Sequence, residues 1–363
     1  MLNIQFDSAQ NRLRNDLKEL AIDKLRAHAR EAEEARTIPE AVRSELIAFG
    51  LPGADGFASS ADAVSFCLAA EALAWGDAGI AYAWLASRQV AWIIASCGTS
   101  EQKRKWLPRF AEDPFLPASL YMYEGRGMAP SEVETTVRRK GAHFVVDGYK
   151  SPVMYAKEAV VRVFVGRDGD GKLIALVHDE GAGAVELKVA DSGQLALGAC
   201  PMAIEARIRE WQVPASAALN HDGLLRALTL CRLAHAAVCI GAAAAATRYA
   251  GEYAQQRIAF GKPIIAFQGV SFVLADLLMA ADAARLSVLD LATADRDPQE
   301  LEREANGVIA QTNHLIAACG REGVQIMGVA GTTTEHPQER AYRSAAVLAS
   351  IDFDPLHCAL VLS

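Results

Sequence analysis

The sequence predicts a mainly α-helical protein with a β domain set in its middle, and three changes of texture along the chain predict it. Apolar residues recur at helical spacing through the first hundred residues. From Leu116 the chain breaks into short β-branched segments, several of them alternating. From about His221 it returns to long Ala- and Leu-rich helical runs. With 363 residues, 52% hydrophobic and 22% charged, the chain has material for large cores and lacks the composition of disorder. We divide it into a helical domain at 1–115, a β domain at 116–218 and a helical bundle at 219–363.

In chain order, residues 9–34 place Leu13, Leu17, Leu20, Ala21 and Leu25 on one helix face and charges on the other. Residues 61–75 and 80–96 read as more apolar helices. Gly98-Thr99-Ser100-Glu101-Gln102-Lys103 is a turn and helix start with an acid and an amide in the first turn, and that helix is expected to stop near Pro108 and Pro114. Strands follow at 144–149, 160–165, 173–178, 185–189 and 203–213, separated by turns at Asp147-Gly148 and 166–171, as an antiparallel sheet or small barrel ended by Pro214. Helices are expected at 222–256, 265–295 and 299–327, broken at Asp295-Arg296-Asp297-Pro298. The run Gly241–Ala246 carries small side chains that let helices approach closely.

Several functions are disfavoured. Net charge is −8 with no lysine- or arginine-rich patch, which argues against nucleic acid. The Ala-rich run 233–247 is short and contains His235, so a buried helix is expected rather than membrane insertion. Seven cysteines (67, 97, 200, 231, 239, 319 and 358) form no CxxC and read as buried free thiols of a reducing compartment. The N-terminus lacks a basic start followed by an apolar run, and we expect a cytoplasmic protein. His235, His314, His336 and His357 have no metal-ligand spacing, and no Ser-His-Asp order, Walker motif or Gly-x-Gly-x-x-Gly occurs.

The most informative stretch is Arg257-Ile258-Ala259-Phe260-Gly261-Lys262, followed by Phe267-Gln268 at the start of the next helix. Arg257 can hold a pyrophosphate through two nitrogens, Lys262 can assist, and Phe260 can pack on a ring. The plainer reading makes Arg257 and Lys262 helix-end cations favoured by the helix dipole. This segment resembles the one that holds FAD, largely across a subunit interface, in the acyl-CoA dehydrogenase flavoprotein family. Gln325-Ile326-Met327-Gly328-Val329-Ala330-Gly331 is similar to that family's Gln-x-x-Gly-Gly-x-Gly turn, with Val329 in place of one glycine; Gly328 also reads as a helix C-cap. Two family segments along the flavin ring correspond to Met122–Met128 and Pro152–Tyr155. There the expected hydroxyls have become Met and Tyr, with Met122, Met128 and Met154 nearest the cofactor.

In the family, a glutamate nine positions after an arginine removes the substrate's Cα proton. Here Arg343 leads at the same spacing to Asp352, a shorter acid. The alternative makes Asp352 part of a solvated turn with Phe353-Asp354-Pro355. Some relatives carry the base immediately before an arginine on the helix after the β domain; that place holds Cys231, read as structural, beside Arg232. Arg232 matches an arginine near the acyl-CoA site and reads as a buried, paired cation, and Thr229 stands where an acid is frequent. The resemblance spans about 350 residues. It implies the family fold, FAD, α,β-dehydrogenation of an acyl-CoA thioester in acyl-CoA metabolism, an electron-transfer flavoprotein as acceptor, and a homodimer or homotetramer. Three alternatives stay open: a flavin oxidase or monooxygenase on this scaffold, a non-catalytic subunit of a hetero-oligomer, and a relative that binds no flavin.

Overall fold

The computed structural model describes residues 5–52, 60–125, 129–179, 185–189 and 197–352. The first helix begins at Ser8 under an Asp7–Gln10 capping box and ends with the segment Arg26–Ala35. Leu13, Leu17, Ala21, Leu25 and Ala29 are all buried and recur every fourth residue. A straight α-helix of about 3.6 residues per turn would rotate this stripe away from the core. Two π-helical stretches, Leu13–Leu17 and Ala21–Leu25, keep it facing inward.

Helices Glu40–Phe49, Ser60–Ala74, Ala78–Cys97 and Ser100–Glu112 complete the first domain. Ala78–Cys97 is the central rod, buried at every position but Ser96. The helix at Ser100 starts with a capping box, Thr99 and Gln102 each accepting from the other's backbone N–H. Of the two prolines expected near its end, Pro108 lies inside the helix, which continues to Glu112, two residues before Pro114. One proline removes one helical hydrogen bond, and Trp106 and Phe110, buried on either side of it, hold the helix to the core.

The middle strands are β1 (Ala118–Tyr121), β2 (Thr136–Lys140), β3 (His143–Lys150), β4 (Val153–Met154), β5 (Val161–Arg167), β6 (Leu173–His178), β7 (Val185–Val189) and β8 (Met202–Pro214). They form one sheet ordered β1-β5-β2-β3-β8-β4, with β6 on β5 and β7 on β8. The sheet is mixed rather than antiparallel, because β1 and β2 both pair with β5 in parallel. Its ends approach each other where Ser119 Oγ on β1 donates to Met154 O on β4 at 2.6 Å, giving a near-barrel. Asp147-Gly148 is a bulge inside β3 rather than a turn. A Cβ on Gly148 would lie 2.3 Å from Thr135 Oγ1, so only glycine lets the two segments approach this closely. Tyr121 stacks on Phe164 with centroids 4.1 Å apart, and Trp211 packs tilted against Phe164 at 4.3 Å.

The final domain packs helices Leu224–Gln256, Gln268–Thr293, Pro298–Met327 and Gln338–Ile351. Leu224–Gln256 is long and apolar enough to cross a membrane, yet 94% of its apolar window is buried in protein, as for a core helix. Gly241 explains part of this closeness: a Cβ there would lie 2.2 Å from Glu71 O on the facing helix. Six cysteines are free and buried; Cys358 lies outside the described residues.

Candidate active site

Asp352 caps the last described helix, and its side chain is wholly buried against the equally buried Arg232. Arg232 Nε donates to Asp352 Oδ2 at 2.8 Å and Nη2 donates to Oδ1 at 3.0 Å, a two-pronged pair. Tyr123 Oη donates to Oδ2 at 3.1 Å, and Asn313 Nδ2 donates to the Asp352 carbonyl at 2.5 Å. Arg232 Nη1 also donates to Asn306 Oδ1 at 2.7 Å. The solvated-turn alternative for Asp352 therefore fails. A guanidinium in a dry helix interior needs a counter-charge, and the end of the last helix brings it one. Burial opposes the charge on Arg232, but pairing with Asp352 outweighs it and raises the Arg232 pKa.

Neutral polar groups surround this pair. Tyr82 Oη and His235 Nδ1 are 3.1 Å apart, and Cys239 Sγ lies 3.6 Å from His235 Nε2. Burial drives His235 down to about 4 against the pull of Asp352, so the imidazole is neutral near pH 7. Burial and the neighbouring carboxylate hold Tyr82 and Tyr123 well above the usual phenol range. Cys231, buried and likewise pushed far up, bonds only weakly to Gln89 O, at 3.8 Å, which suits its structural reading. Thr229 is buried with Oγ1 donating to Leu225 O in its own helix, at 2.9 Å.

The residues expected to hold FAD divide into two groups. Arg257 ends the long helix, and the chain turns back through a two-residue hairpin, β9 (Ile258–Ala259) against β10 (Lys262–Pro263). Phe260 and Gly261 at its tip have φ of 52° and 81°, the left-handed pair of a tight hairpin turn. Phe260 is 96% exposed. Gln268 opens the next helix, also exposed, and Lys262 Nζ sits 4.4 Å over the Phe267 ring. Gln325 is exposed, and Gly328 caps its helix at φ 60° and ψ −136°, with open space where a Cβ would stand. In contrast Met122 and Met154 are buried, and their carbonyls accept from Lys150 Nζ at 3.3 Å and Ser119 Oγ at 2.6 Å. Met128 lies outside the described residues.

This arrangement suits the diphosphate end of a dinucleotide. A solvent-facing guanidinium with no partner among the described hydrogen bonds, an exposed aromatic and an approachable glycine stand at one end of the bundle. At the ring end, methionines supply no side-chain hydrogen-bond donor. Among the described residues no cluster of metal-ligating side chains occurs.

Comparison with known proteins decides the family. The model of the acyl-CoA dehydrogenase N-terminal domain matches residues 7–113, and that of the C-terminal domain matches residues 223–352. The chain belongs to the acyl-CoA dehydrogenase family. It is an FAD-dependent oxidoreductase acting on CH–CH donors. It is 26% identical to "Probable acyl-CoA dehydrogenase YngJ" of Bacillus subtilis, over 96% of this chain and 95% of that protein. It is 28% identical to the bovine (Bos taurus) short-chain specific mitochondrial acyl-CoA dehydrogenase, over 70% of this chain and 63% of that one. The structure of butyryl-CoA dehydrogenase from Megasphaera elsdenii superposes with TM-score 0.80 at 24% identity, covering 100% of both chains, which establishes the fold.

Of the site, the sequence reached Asp352, Arg232 and the exposed bundle end. It missed Tyr82, Asn306 and Asn313, and it read Tyr123 only within the Met122–Met128 stretch, not as a partner of Asp352. Tyr123 and Asp352 are 229 positions apart, and no local period marks such a pairing.

Proposed function

We propose that this family member desaturates an acyl-CoA thioester between Cα and Cβ, with Asp352 as the base that removes the Cα proton. The observation that carries this reading is the burial of Asp352: a carboxylate out of reach of water and fixed in orientation by Arg232. Asp352 Oδ2 takes two donors and Oδ1 one, so Oδ1 is the oxygen that receives the proton. Arg232 balances the buried charge and holds the carboxylate plane. Asp is shorter than Glu by one methylene, so the substrate's Cα comes closer by about 1.5 Å than a glutamate would require. FAD supplies the acceptor for the hydride that leaves Cβ. Arg257, Phe260, Gln268, Gln325 and Gly328 would hold its diphosphate end from a neighbouring copy in a dimer or tetramer, and electrons would pass to an electron-transfer flavoprotein. The buried free thiols favour a reducing, cytoplasmic setting.

A second reading, an oxidase or monooxygenase on the same scaffold, is favoured by Met122 and Met154, whose side chains donate no hydrogen bond towards a flavin edge. The test is the visible spectrum of the purified protein before and after anaerobic addition of a panel of acyl-CoAs. Bleaching near 450 nm (an approximate flavin band) by one of them supports desaturation. Asp352→Asn should keep FAD and abolish that bleaching; unchanged bleaching removes Asp352 as base. Rapid oxygen consumption coupled to turnover would favour the oxidase. A protein that stays colourless with added FAD would favour a partner-dependent or flavin-free subunit.

A further inference from the structure

We propose that Tyr123 is a positioning residue for the base: its phenol pins Asp352 Oδ2 and so presents Oδ1 to the substrate. This rests on the reading of Asp352 as base. It assigns a role to a residue outside the cofactor set.

Three observations carry it. Tyr123 is 6% exposed, and its hydroxyl has Asp352 Oδ2 as its described partner, at 3.1 Å. Oδ2 is already engaged by Arg232 Nε at 2.8 Å, so the phenol completes an asymmetric set of donors, two on Oδ2 and one on Oδ1. Tyr123 also comes from a different domain. It follows β1, which ends at Tyr121, while Arg232 and Asp352 belong to the helical bundle. The bond therefore ties the base to the β domain, whose Met122 and Met154 stretches are those expected along the flavin ring. A carboxylate held from the bundle alone would be free to drift relative to that ring. Held from both sides, it keeps its distance to the Cα–H bond it breaks.

Other groups face Asp352 from each packed element: Tyr82 from the Ala78–Cys97 helix, Arg232, His235 and Cys239 from the Leu224–Gln256 helix, and Asn313 from the Pro298–Met327 helix. Glu302 on that last helix acts on Arg232. Arg232 is the one charged group among those facing the carboxylate directly, and His235 is neutral above about pH 4. Near neutrality, Tyr123 is thus the neutral donor that can be removed without changing the chamber's charge.

The test is Tyr123→Phe, which keeps the ring and removes only the hydroxyl, assayed as the FAD-loaded protein beside Asp352→Asn. Initial rates of turnover are read across acyl-CoA concentrations up to the saturating plateau. At the plateau, kcat should fall roughly tenfold with KM little changed, the sign of lost orientation rather than lost binding. Replacing Tyr123 by 3-fluorotyrosine keeps the hydroxyl and should retain kcat, whereas 4-fluorophenylalanine, which fills the ring's space without a donor and serves if Tyr123→Phe folds poorly, should lose it. An unchanged kcat in the variants that lack the hydroxyl, with Asp352→Asn inactive, would overturn the role of Tyr123 and leave the base intact. Bleaching by Asp352→Asn would overturn the base itself.

Discussion

The Asp352–Arg232 chamber and the far end of the bundle around Arg257 are built on opposite principles. In the chamber every charge has its partner within the chain: two oxygens, three donors, no solvent. At the bundle end Arg257, Phe260, Gln268 and Gln325 face outward, and Phe260 is 96% exposed. One region is closed by folding; the other leaves its polar and aromatic side chains in solvent. The same helix, Leu224–Gln256, carries Arg232 in its interior and Arg257 at its cap, so position along one element decides which kind of arginine each is.

The sharpest break of this contrast is to unpair the chamber. Arg232→Met should cost about 3–5 kcal/mol in urea unfolding, because it leaves a buried carboxylate without its counter-charge. Adding Asp352→Asn to it should recover most of that loss, since both charges then leave together. A single variant that costs less than about 1 kcal/mol would show that water reaches Asp352 and that the chamber is not sealed.

Acid sharpens the contrast next. His235 is neutral in the fold because burial lowers it to about 4, below the 6.5 of an exposed imidazole. The unfolded chain therefore binds the proton first. Its contribution to stability is whole above pH 6.5, declines as the pH falls through the window from 6.5 to about 4, and is gone below it. Between pH 7 and 5 this amounts to about 2 kcal/mol. His235→Gln should flatten that part of the pH dependence. Parallel losses in the wild type and the variant would place the titration elsewhere.

The sequence disclosed these regions unequally. The order helix, β, helix was legible because textures are local, and strand 173–178 was read to the residue. The parallel pairing of β1 with β5 was not, since pairing direction leaves no trace in alternation. Asp147-Gly148 read as a turn because that dipeptide makes turns; only the approach of Thr135 reveals a bulge. Arg232 read as a buried, paired cation from the leucines around it, but its partners Asn306 and Asp352 come from other elements. Arg257 was marked in the sequence because the segment it opens is consecutive, but the hairpin that carries Phe260 and Gly261 at its tip was not read there.

The smallest effect on the chain itself is expected at the open end. Arg257→Ala removes an exposed side chain with no described hydrogen bond, so monomer stability should change by less than about 0.5 kcal/mol. FAD content is where it should register: the FAD-to-protein ratio after gel filtration should fall, with a smaller assembly eluting if the cofactor helps to hold neighbouring copies together. Arg257→Lys should lie between, because an ammonium keeps the charge but not the two-nitrogen grip on a phosphate. Full retention of FAD and of the assembly in Arg257→Ala would place the pyrophosphate elsewhere and make Arg257 no more than a helix-end cation. Loss of FAD together with a large loss of monomer stability would be equally damaging to the comparison. It would show that the bundle end, like the chamber, is part of what holds the chain together.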